Sequence, residues 1–222
     1  MKTSLSILFM ILTCFVSYGQ SNITPNSNYK SRVIKTAIFA PLVNHLEFGY
    51  EQALNNKIIL DGDLGIIGPS VSNFDQNASG LYFKAGTKFF FNPDFMVEGM
   101  FRYNDFQGTY FEPQLIYSSF GYDVLSYTYN PNTGNSTSQT YRGTSNSWAL
   151  SMNLGRQWVL ANVLSLNLFG GVGYGGSYNS TNEPTGTFIE TIGHPYKFSH
   201  LAISNDFPII FTNGITLGIL LK

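Results

Sequence analysis

The chain has 222 residues, of which 12 are basic and 13 acidic, and its formal net charge is −1. No basic surface for binding nucleic acid or acidic lipid follows from this balance. Charged residues make up only 11% of the chain and aromatic residues 16%, against about 25% charged residues in soluble domains, so much of the surface is expected to face something other than water.

The first predicted element is a secretory signal peptide over residues 1–19. Lys2 supplies a positive charge, Leu5 to Val16 form a short apolar core, and small residues precede the expected cleavage site. The apolar run is shorter than the roughly 20 residues of a membrane-spanning helix, which favours cleavage. Cys14, the only cysteine, is the alternative site of a lipoprotein anchor, but the residue before it fits that role poorly. We expect a mature chain without cysteine that begins with a periplasmic segment, 20–32.

After the signal peptide, apolar and polar residues alternate, and no helical period appears. Successive side chains of a strand point to opposite faces, so this alternation predicts strands with one apolar and one polar face. In the segment from Leu164 to Tyr174, one phase is mostly leucine, valine and tyrosine, and the other mostly serine, asparagine and glycine. Eight strands are predicted in chain order, at 33–40, 45–54, 58–67, 80–91, 108–128, 147–157, 163–178 and 207–221.

Strand number and loop lengths together predict a membrane barrel. Eight is even, as a closed single-chain bacterial barrel requires, and such barrels have short periplasmic turns and longer external loops. One end of this barrel would carry the segments 55–57, 92–107 and 158–162. The other end would carry the segments 41–44, 68–79, 129–146 and 179–206. The predicted fold is therefore all-β: a closed, antiparallel, up-and-down transmembrane β-barrel over 33–222, with a side-chain-filled interior that argues against a diffusion pore.

Two questions stay open in this prediction. Ten strands are the alternative count, if the alternating segment 95–103 is a strand and Ser118–Ser119 is a turn. Alternation also does not say which face points inward, and a soluble lipocalin-like periplasmic barrel would bury the apolar phase. The small residues of the polar phase suit a narrow lumen, and aromatic residues near strand ends suit the girdles of a membrane barrel. The predicted girdle residues are Trp148, Tyr174 and Tyr178 on the outer side, and Phe91 and Trp158 on the periplasmic side.

Charged residues of the first four strands fall in the polar phase. Charges in a low-dielectric interior need partners, so we predict an interlocked structural cluster of ion pairs in the lumen. A catalytic pair formed by Glu47 and Glu51 is the alternative, although neutralisation of Lys84 and Lys88 accounts for the same carboxylates. The predicted members of this ion cluster are Lys35, Glu47, Glu51, Asp61, Asp63, Lys84 and Lys88.

Four segments and the C-terminal strand carry loose sequence motifs. The segments are Leu46–Leu54, Gly86–Pro93, Gly108–Pro113 and Leu115–Ser119. They resemble those of the small outer-membrane β-barrel proteins of unknown function that are common in Bacteroidota, and the likeness covers roughly residues 33–222. The resemblance implies a location in the outer membrane and insertion by the barrel assembly machinery, and it supplies no catalytic residue.

The sequence supplies no recognisable chemistry. His45, His194 and His200 lack the spacing of a metal site, and the glycines at 170–173 lie inside an alternating strand rather than at a phosphate-binding turn. We expect no cofactor, metal or nucleic acid. The predicted role is structural or surface-interacting, with outer-membrane lipid as one partner and another protein, extracellular or in the outer membrane, bound through the long loops. The alternatives are an outer-membrane enzyme that acts on lipid or peptide through a histidine, a narrow channel, and a binder of a small apolar ligand.

Overall fold

The computed structural model of the protein describes residues 30–43, 45–68, 77–94, 104–130, 135–181 and 208–222. Within them, eight antiparallel strands form a closed barrel in which each strand pairs with the next and the last returns to the first. The strands are β1 (Arg32–Ala37), β2 (His45–Ala53), β3 (Ile58–Ile67), β4 (Ser79–Phe90), β5 (Gly108–Asn130), β6 (Asn135–Leu160), β7 (Leu164–Thr181) and β8 (Ile209–Leu221). The predicted all-β, antiparallel, up-and-down barrel of eight strands is confirmed.

Some predictions fall outside the described residues. These are the signal peptide over 1–19, residues 20–29 of the N-terminal segment, and the segment 95–103 on which the count of ten strands depended. The turn proposed at Ser118–Ser119 is wrong, because these residues pair with Ser147 and Asn146 in the middle of β5. With β4 paired directly to β5, the closed sheet has eight strands.

The hairpin of β5 and β6 is longer than predicted. The two strands stay in register from Gly108↔Gln157 to Asn130↔Asn135, so most of the predicted loop 129–146 is strand. Residues 135–147 carry serine, threonine, glutamine and asparagine in both phases. Alternation, the signal by which the other strands were predicted, is therefore missing from this segment.

Strand β1 is shorter than predicted, because it ends at Ala37 and a 3₁₀ helix follows at Ala40–Val43. Pro41 has no N–H to donate to a strand ladder, and its fixed φ suits the first turn of a helix. The Leu42 N–H donates to the Phe39 carbonyl oxygen at 3.1 Å. No helix among the described residues is long and apolar enough to cross a membrane.

The two ends of the barrel differ. At one end, here called the turn end, Asn55 Oδ1 accepts hydrogen bonds from the N–H groups of Lys57 and Ile58 between β2 and β3. Ala161 and Asn162, with φ of 51° and 55°, make the tight turn between β6 and β7. The opposite end, here called the loop end, carries the 3₁₀ helix and the last residue pairs of β5 with β6, which reach Asn130↔Asn135.

Side chains alternate between lumen and exterior, and the apolar phase points outward. In β3, Asp61 and Asp63 are 6% and 8% exposed, whereas Leu64 is 54% exposed. In β6, Ser151 is buried and Leu150 is 51% exposed. The charged phase of β1 to β4 therefore lines the lumen.

Apolar side chains nevertheless close the lumen at the turn end. They come from the inward phase of several strands and from the segment before β5, and we call them the apolar plug. The apolar plug consists of Val33, Ala53, Ile59, Phe90, Phe106, Tyr110 and Leu220. A smaller aromatic group with Tyr82, Phe120 and Tyr122 lies nearer the loop end. The polar part of the lumen lies between these two layers.

Candidate functional site

The register of the first four strands brings the predicted ion cluster together. Glu51 pairs with Asp61 across β2 and β3, and Asp63 pairs with Lys84 across β3 and β4. All seven predicted residues face the lumen, and none is more than 8% exposed. Glycine makes room for them, since a Cβ at Gly49 would lie 2.5 Å from Lys35 Cε and would also collide with Asp63.

Lys35 and Lys88 hold the layer nearer the turn end. Lys35 Nζ lies 2.6 Å from Asp61 Oδ1 and 3.0 Å from Asp63 Oδ1. Lys88 Nζ lies 2.6 Å from Glu51 Oε1 and 3.1 Å from Asp61 Oδ2. Asp61 therefore bridges the two lysines, and removal of either lysine would leave a buried carboxylate with one cation fewer.

Lys84 and Glu47 form the next layer toward the loop end. Lys84 Nζ lies 2.6 Å from Glu47 Oε2, and the Tyr82 hydroxyl donates to the same oxygen. The Tyr82 ring lies 5.3 Å from Lys84 Nζ and packs edge-on against His45, with ring centroids 5.4 Å apart. Glu47 and Glu51 thus bind different lysines.

The sequence-based prediction missed residues that reach the ion cluster from across the lumen. Gln157 Nε2 donates to Glu51 Oε2 at 2.9 Å, and the Tyr110 ring lies 4.8 Å from Lys88 Nζ. Glu112 is 2% exposed and lies beside Gly86. A Cβ added to Gly86 would be only 2.5 Å from Glu112 Oε1. Gln157 is in the same phase as Ser151 and Asn153 of the predicted strand 147–157, but only closure of the barrel places it against β2.

A ladder of neutral polar groups fills the lumen opposite the ion cluster. The Tyr110 hydroxyl donates to Asn167 Oδ1 at 2.8 Å, and the Thr212 hydroxyl donates to Asn153 Oδ1 at 2.5 Å. Asn153 in turn donates to Gln114 Oε1 at 3.4 Å. Among the described residues, no three histidine, cysteine or acidic side chains are placed to hold a metal ion. His194 and His200 lie outside the described residues.

The predicted girdle residues lie on the outer surface or near it. Trp148, Tyr174 and Tyr178 are 50%, 61% and 72% exposed. Trp158 is half-buried under the Arg156 guanidinium, whose carbon lies 5.6 Å from the ring. Phe91, at the end of β4, is also half-buried.

A ribbon of two strands extends beyond the barrel wall at the loop end. The pairing of β4 with β5 reaches Ser79↔Gly121, and that of β6 with β7 reaches Gly143↔Thr181. Beyond these pairs, β5 and β6 continue together for eight residue pairs, Asp123↔Arg142 to Asn130↔Asn135. We call this part of the hairpin the ribbon, and at about 3.3 Å per residue it is about 26 Å long.

A polar latch lies at the base of the ribbon. Arg142 Nη1 lies 2.8 Å from Asp123 Oδ1 and also donates to the Asn77 carbonyl oxygen at 2.8 Å. Asn77 Nδ2 donates to Asp123 Oδ2 at 2.7 Å, and Arg142 Nη2 donates to Ser79 Oγ at 2.7 Å. The hydrogen bonds from Arg142 and Asn77 lower the pKa of the Asp123 carboxyl. The latch ties β5 and β6 to the start of β4.

A sequence model of the family described as "Protein of unknown function (DUF3575)" matches residues 5–195. No curated protein and no solved structure matches the chain.

Proposed function

The chain belongs to the DUF3575 family, whose function is unknown, and from its geometry we propose that it is an integral outer-membrane β-barrel with a structural and surface-interaction role. In this proposal the turn end faces the periplasm and the ribbon points outside. The barrel wall supplies the anchor in lipid, and the ribbon supplies the contact surface.

The observation that carries the proposal is the apolar exterior around a charged lumen. Phe48, Leu64 and Leu81 are 54–55% exposed, whereas Glu51 and Lys88 are fully buried. Soluble monomers rarely expose apolar patches larger than a few hundred Å². A soluble lipocalin-like barrel would have the opposite arrangement, with the apolar phase inside. The exterior of this barrel is therefore suited to contact with the acyl chains of a membrane.

The spacing of the two tryptophans on β6 agrees with the thickness of a bilayer. Trp148 and Trp158 belong to the same outward phase and are ten residues apart in one strand. A tilted strand needs about 9–11 residues to cross the hydrocarbon region. Tryptophan concentrates at the two membrane interfaces, so this pair marks one interface toward the loop end and the other toward the turn end.

The ribbon supports the surface-interaction part of the proposal. Its sequence is rich in tyrosine, serine, threonine and asparagine, with Tyr127, Tyr129 and Tyr141 among its residues. Binding surfaces of antibodies use the same chemistry, because tyrosine offers contact area at a low entropic cost and short polar side chains form adaptable hydrogen bonds. A two-stranded ribbon has little stability of its own, which suits an element that becomes ordered on a partner.

Membrane insertion is tested by fractionation of cells that produce the full chain. We expect the protein in the outer-membrane fraction, extractable by detergent only, and running differently on gels before and after boiling because the barrel resists unfolding. Recovery in the soluble periplasmic fraction would reject the membrane barrel in favour of the soluble one.

Orientation is tested by labelling with a membrane-impermeant maleimide on intact cells. Ser138→Cys lies on the ribbon and Asn56→Cys in the turn between β2 and β3, and both positions are exposed. We expect Ser138→Cys to react in intact cells and Asn56→Cys only after lysis. The reverse pattern would place the ribbon in the periplasm. A photo-crosslinking residue at position 138 then identifies the partner, with position 56 as the matched control.

A further inference from the structure

The barrel wall is incomplete between β8 and β2 near the loop end. Pairing of β1 with β8 runs from Arg32↔Leu221 to Ala37↔Thr216, followed by one hydrogen bond from the Ile38 N–H to the Ile215 carbonyl oxygen. Strand β8 continues beyond this point to Ile209. The chain after β1 forms the 3₁₀ helix instead of a strand, so this part of the wall is built from side chains of the helix.

A cavity of about 660 Å³ lies at this gap. Its outer wall includes Leu42, Leu168 and Ile215, of which Leu42 is 63% and Leu168 48% exposed on the apolar exterior. Its inner wall includes Glu47, Lys84 and Thr216 of the lumen. The cavity therefore connects the exterior of the barrel with the polar interior, and we call it the lateral pocket.

We infer that the lateral pocket binds a neutral single-chain amphiphile, whose hydrocarbon chain lies along the outer wall and whose hydroxyl-bearing head group reaches Glu47, Lys84 and Thr216. The volume falls within the range of small-molecule sites, about 300–1,000 Å³. At about 30 Å³ for each group the size of a water molecule, such as a CH₂ or an OH, the pocket has room for about 20 groups. This inference rests on the proposed membrane location, since the outer wall would then open to the acyl chains.

The charge of the lumen selects the head group. Glu47 and Lys84 are the acidic and basic residues that line the lateral pocket, and they form an ion pair with 2.6 Å between Lys84 Nζ and Glu47 Oε2. An anionic head group would be repelled by the Glu47 carboxylate, which already neutralises Lys84. A cationic head group would lose its hydration shell on entry. A neutral hydroxyl can donate to the Glu47 carboxylate and accept from the Lys84 ammonium group without either penalty.

The test is calorimetric titration of the full protein in amphipol with three ten-carbon probes below their micelle concentrations: 1-decanoylglycerol, decanoate and decylamine. The blocking variant is Ala37→Trp, because Ala37 lines the lateral pocket. The matched control is Ala85→Trp, at an exposed position of β4. A second variant, Leu42→Asn, keeps the approximate size of an exposed side chain and removes its apolar character.

We expect saturable 1:1 binding of 1-decanoylglycerol by the wild-type protein and by Ala85→Trp. Binding should weaken about tenfold or more in Ala37→Trp and Leu42→Asn, and decanoate and decylamine should bind more weakly than the glycerol ester. The inference is overturned by the absence of saturable binding, by equal binding in both pocket variants, or by preferred binding of either charged probe. If Ala37→Trp does not fold, Leu42→Asn alone decides. Fractionation reports separately on the membrane location, so the two proposals can fail independently.

Discussion

Lys35 lies at the centre of the ion cluster, where its ammonium group contacts three carboxylates. Its Nζ lies within 3.4 Å of Glu51, Asp61 and Asp63, and its side chain is 4% exposed. Desolvation of such a group is offset only while all its partners are present. The stability of the barrel should therefore be sensitive to the loss of this single charge.

Lys35→Met is expected to lower the free energy of unfolding by about 3–5 kcal/mol, because it leaves buried carboxylates without their cation. The measurement is the midpoint of urea unfolding of the barrel in lipid vesicles. Lys57→Met is the matched control, since Lys57 is exposed in the turn between β2 and β3, and its change should stay within about 0.5 kcal/mol. Equal midpoints for the two variants would contradict a structural ion cluster.

Gly49 and Gly62 provide a second matched pair at the residue scale. A Cβ at Gly49 would collide with Asp63 and Lys35, whereas one at Gly62 would meet nothing closer than the Lys84 carbonyl oxygen at 4.0 Å. Gly49→Ala should destabilise the barrel by about 1–3 kcal/mol through overpacking. Gly62→Ala should be neutral or slightly stabilising, because glycine weakens a strand interior. Similar unfolding midpoints for both variants would argue against tight packing around the ion cluster.

The grouping of the charged residues on one face of each strand followed from alternation, but their contacts did not. The two phases of a strand could be separated within a single segment such as Asp61–Asp63, and the register of β2 with β3 follows from their short turn. Contacts across the lumen depend on closure of the whole sheet. Gln157 and Glu51 are 106 positions apart in the chain, and no local pattern in the sequence relates them.

At the scale of elements, the β5–β6 hairpin shows where alternation stops being informative. The two faces of a strand carry different residue types only when their surroundings differ. In the barrel wall they do, because one face meets the lumen and the other the exterior. Beyond Gly121 and Gly143 the neighbouring strands are no longer paired to the hairpin, and polar residues occupy both phases. The predicted end of β1 at residue 40 was wrong for another reason: Pro41 starts a helical turn in a segment whose apolar residues also suit a strand.

The latch at the base of the ribbon should restrain the ribbon without contributing much to barrel stability. The side chains of Arg142 and Asp123 are 45% and 27% exposed, and ion pairs at such exposure contribute about 0–1 kcal/mol. Arg142→Met should leave the unfolding midpoint nearly unchanged but accelerate proteolytic cleavage within residues 124–141. Lys57→Met serves as the control at the opposite end. Unchanged cleavage in Arg142→Met would show that the ribbon is held by other contacts.

At the scale of the whole molecule, the sequence predicted the topology of the barrel but not the direction in which its apolar residues point. Eight alternating segments with short turns on one side predicted the closed up-and-down barrel. Alternation is symmetric with respect to inside and outside, so the outward direction of residues such as Leu150 and Leu217 became known only from their exposure, 51% and 39%. The lateral pocket had no signal in the sequence, because a gap in the wall depends on where three strands end relative to one another.

The effect of a charged substitution on the free energy of unfolding distinguishes an exterior that faces lipid from one that faces water. Leu154 lies in the outward phase of β6, between the two tryptophans and level with Phe111 and Gly170. In a membrane, Leu154→Arg should cost about 2–4 kcal/mol, the range for arginine near the bilayer midplane of such barrels. Thr144→Arg lies on the same face of β6, four residues beyond Trp148, where the cost should fall to about 0–1 kcal/mol. The measurement is the free energy of unfolding from vesicles, read from the gel shift between folded and unfolded barrel. In a soluble barrel, both exposed positions would accept arginine with changes of about 0.5 kcal/mol or less, so a large difference between the two variants requires acyl chains around Leu154.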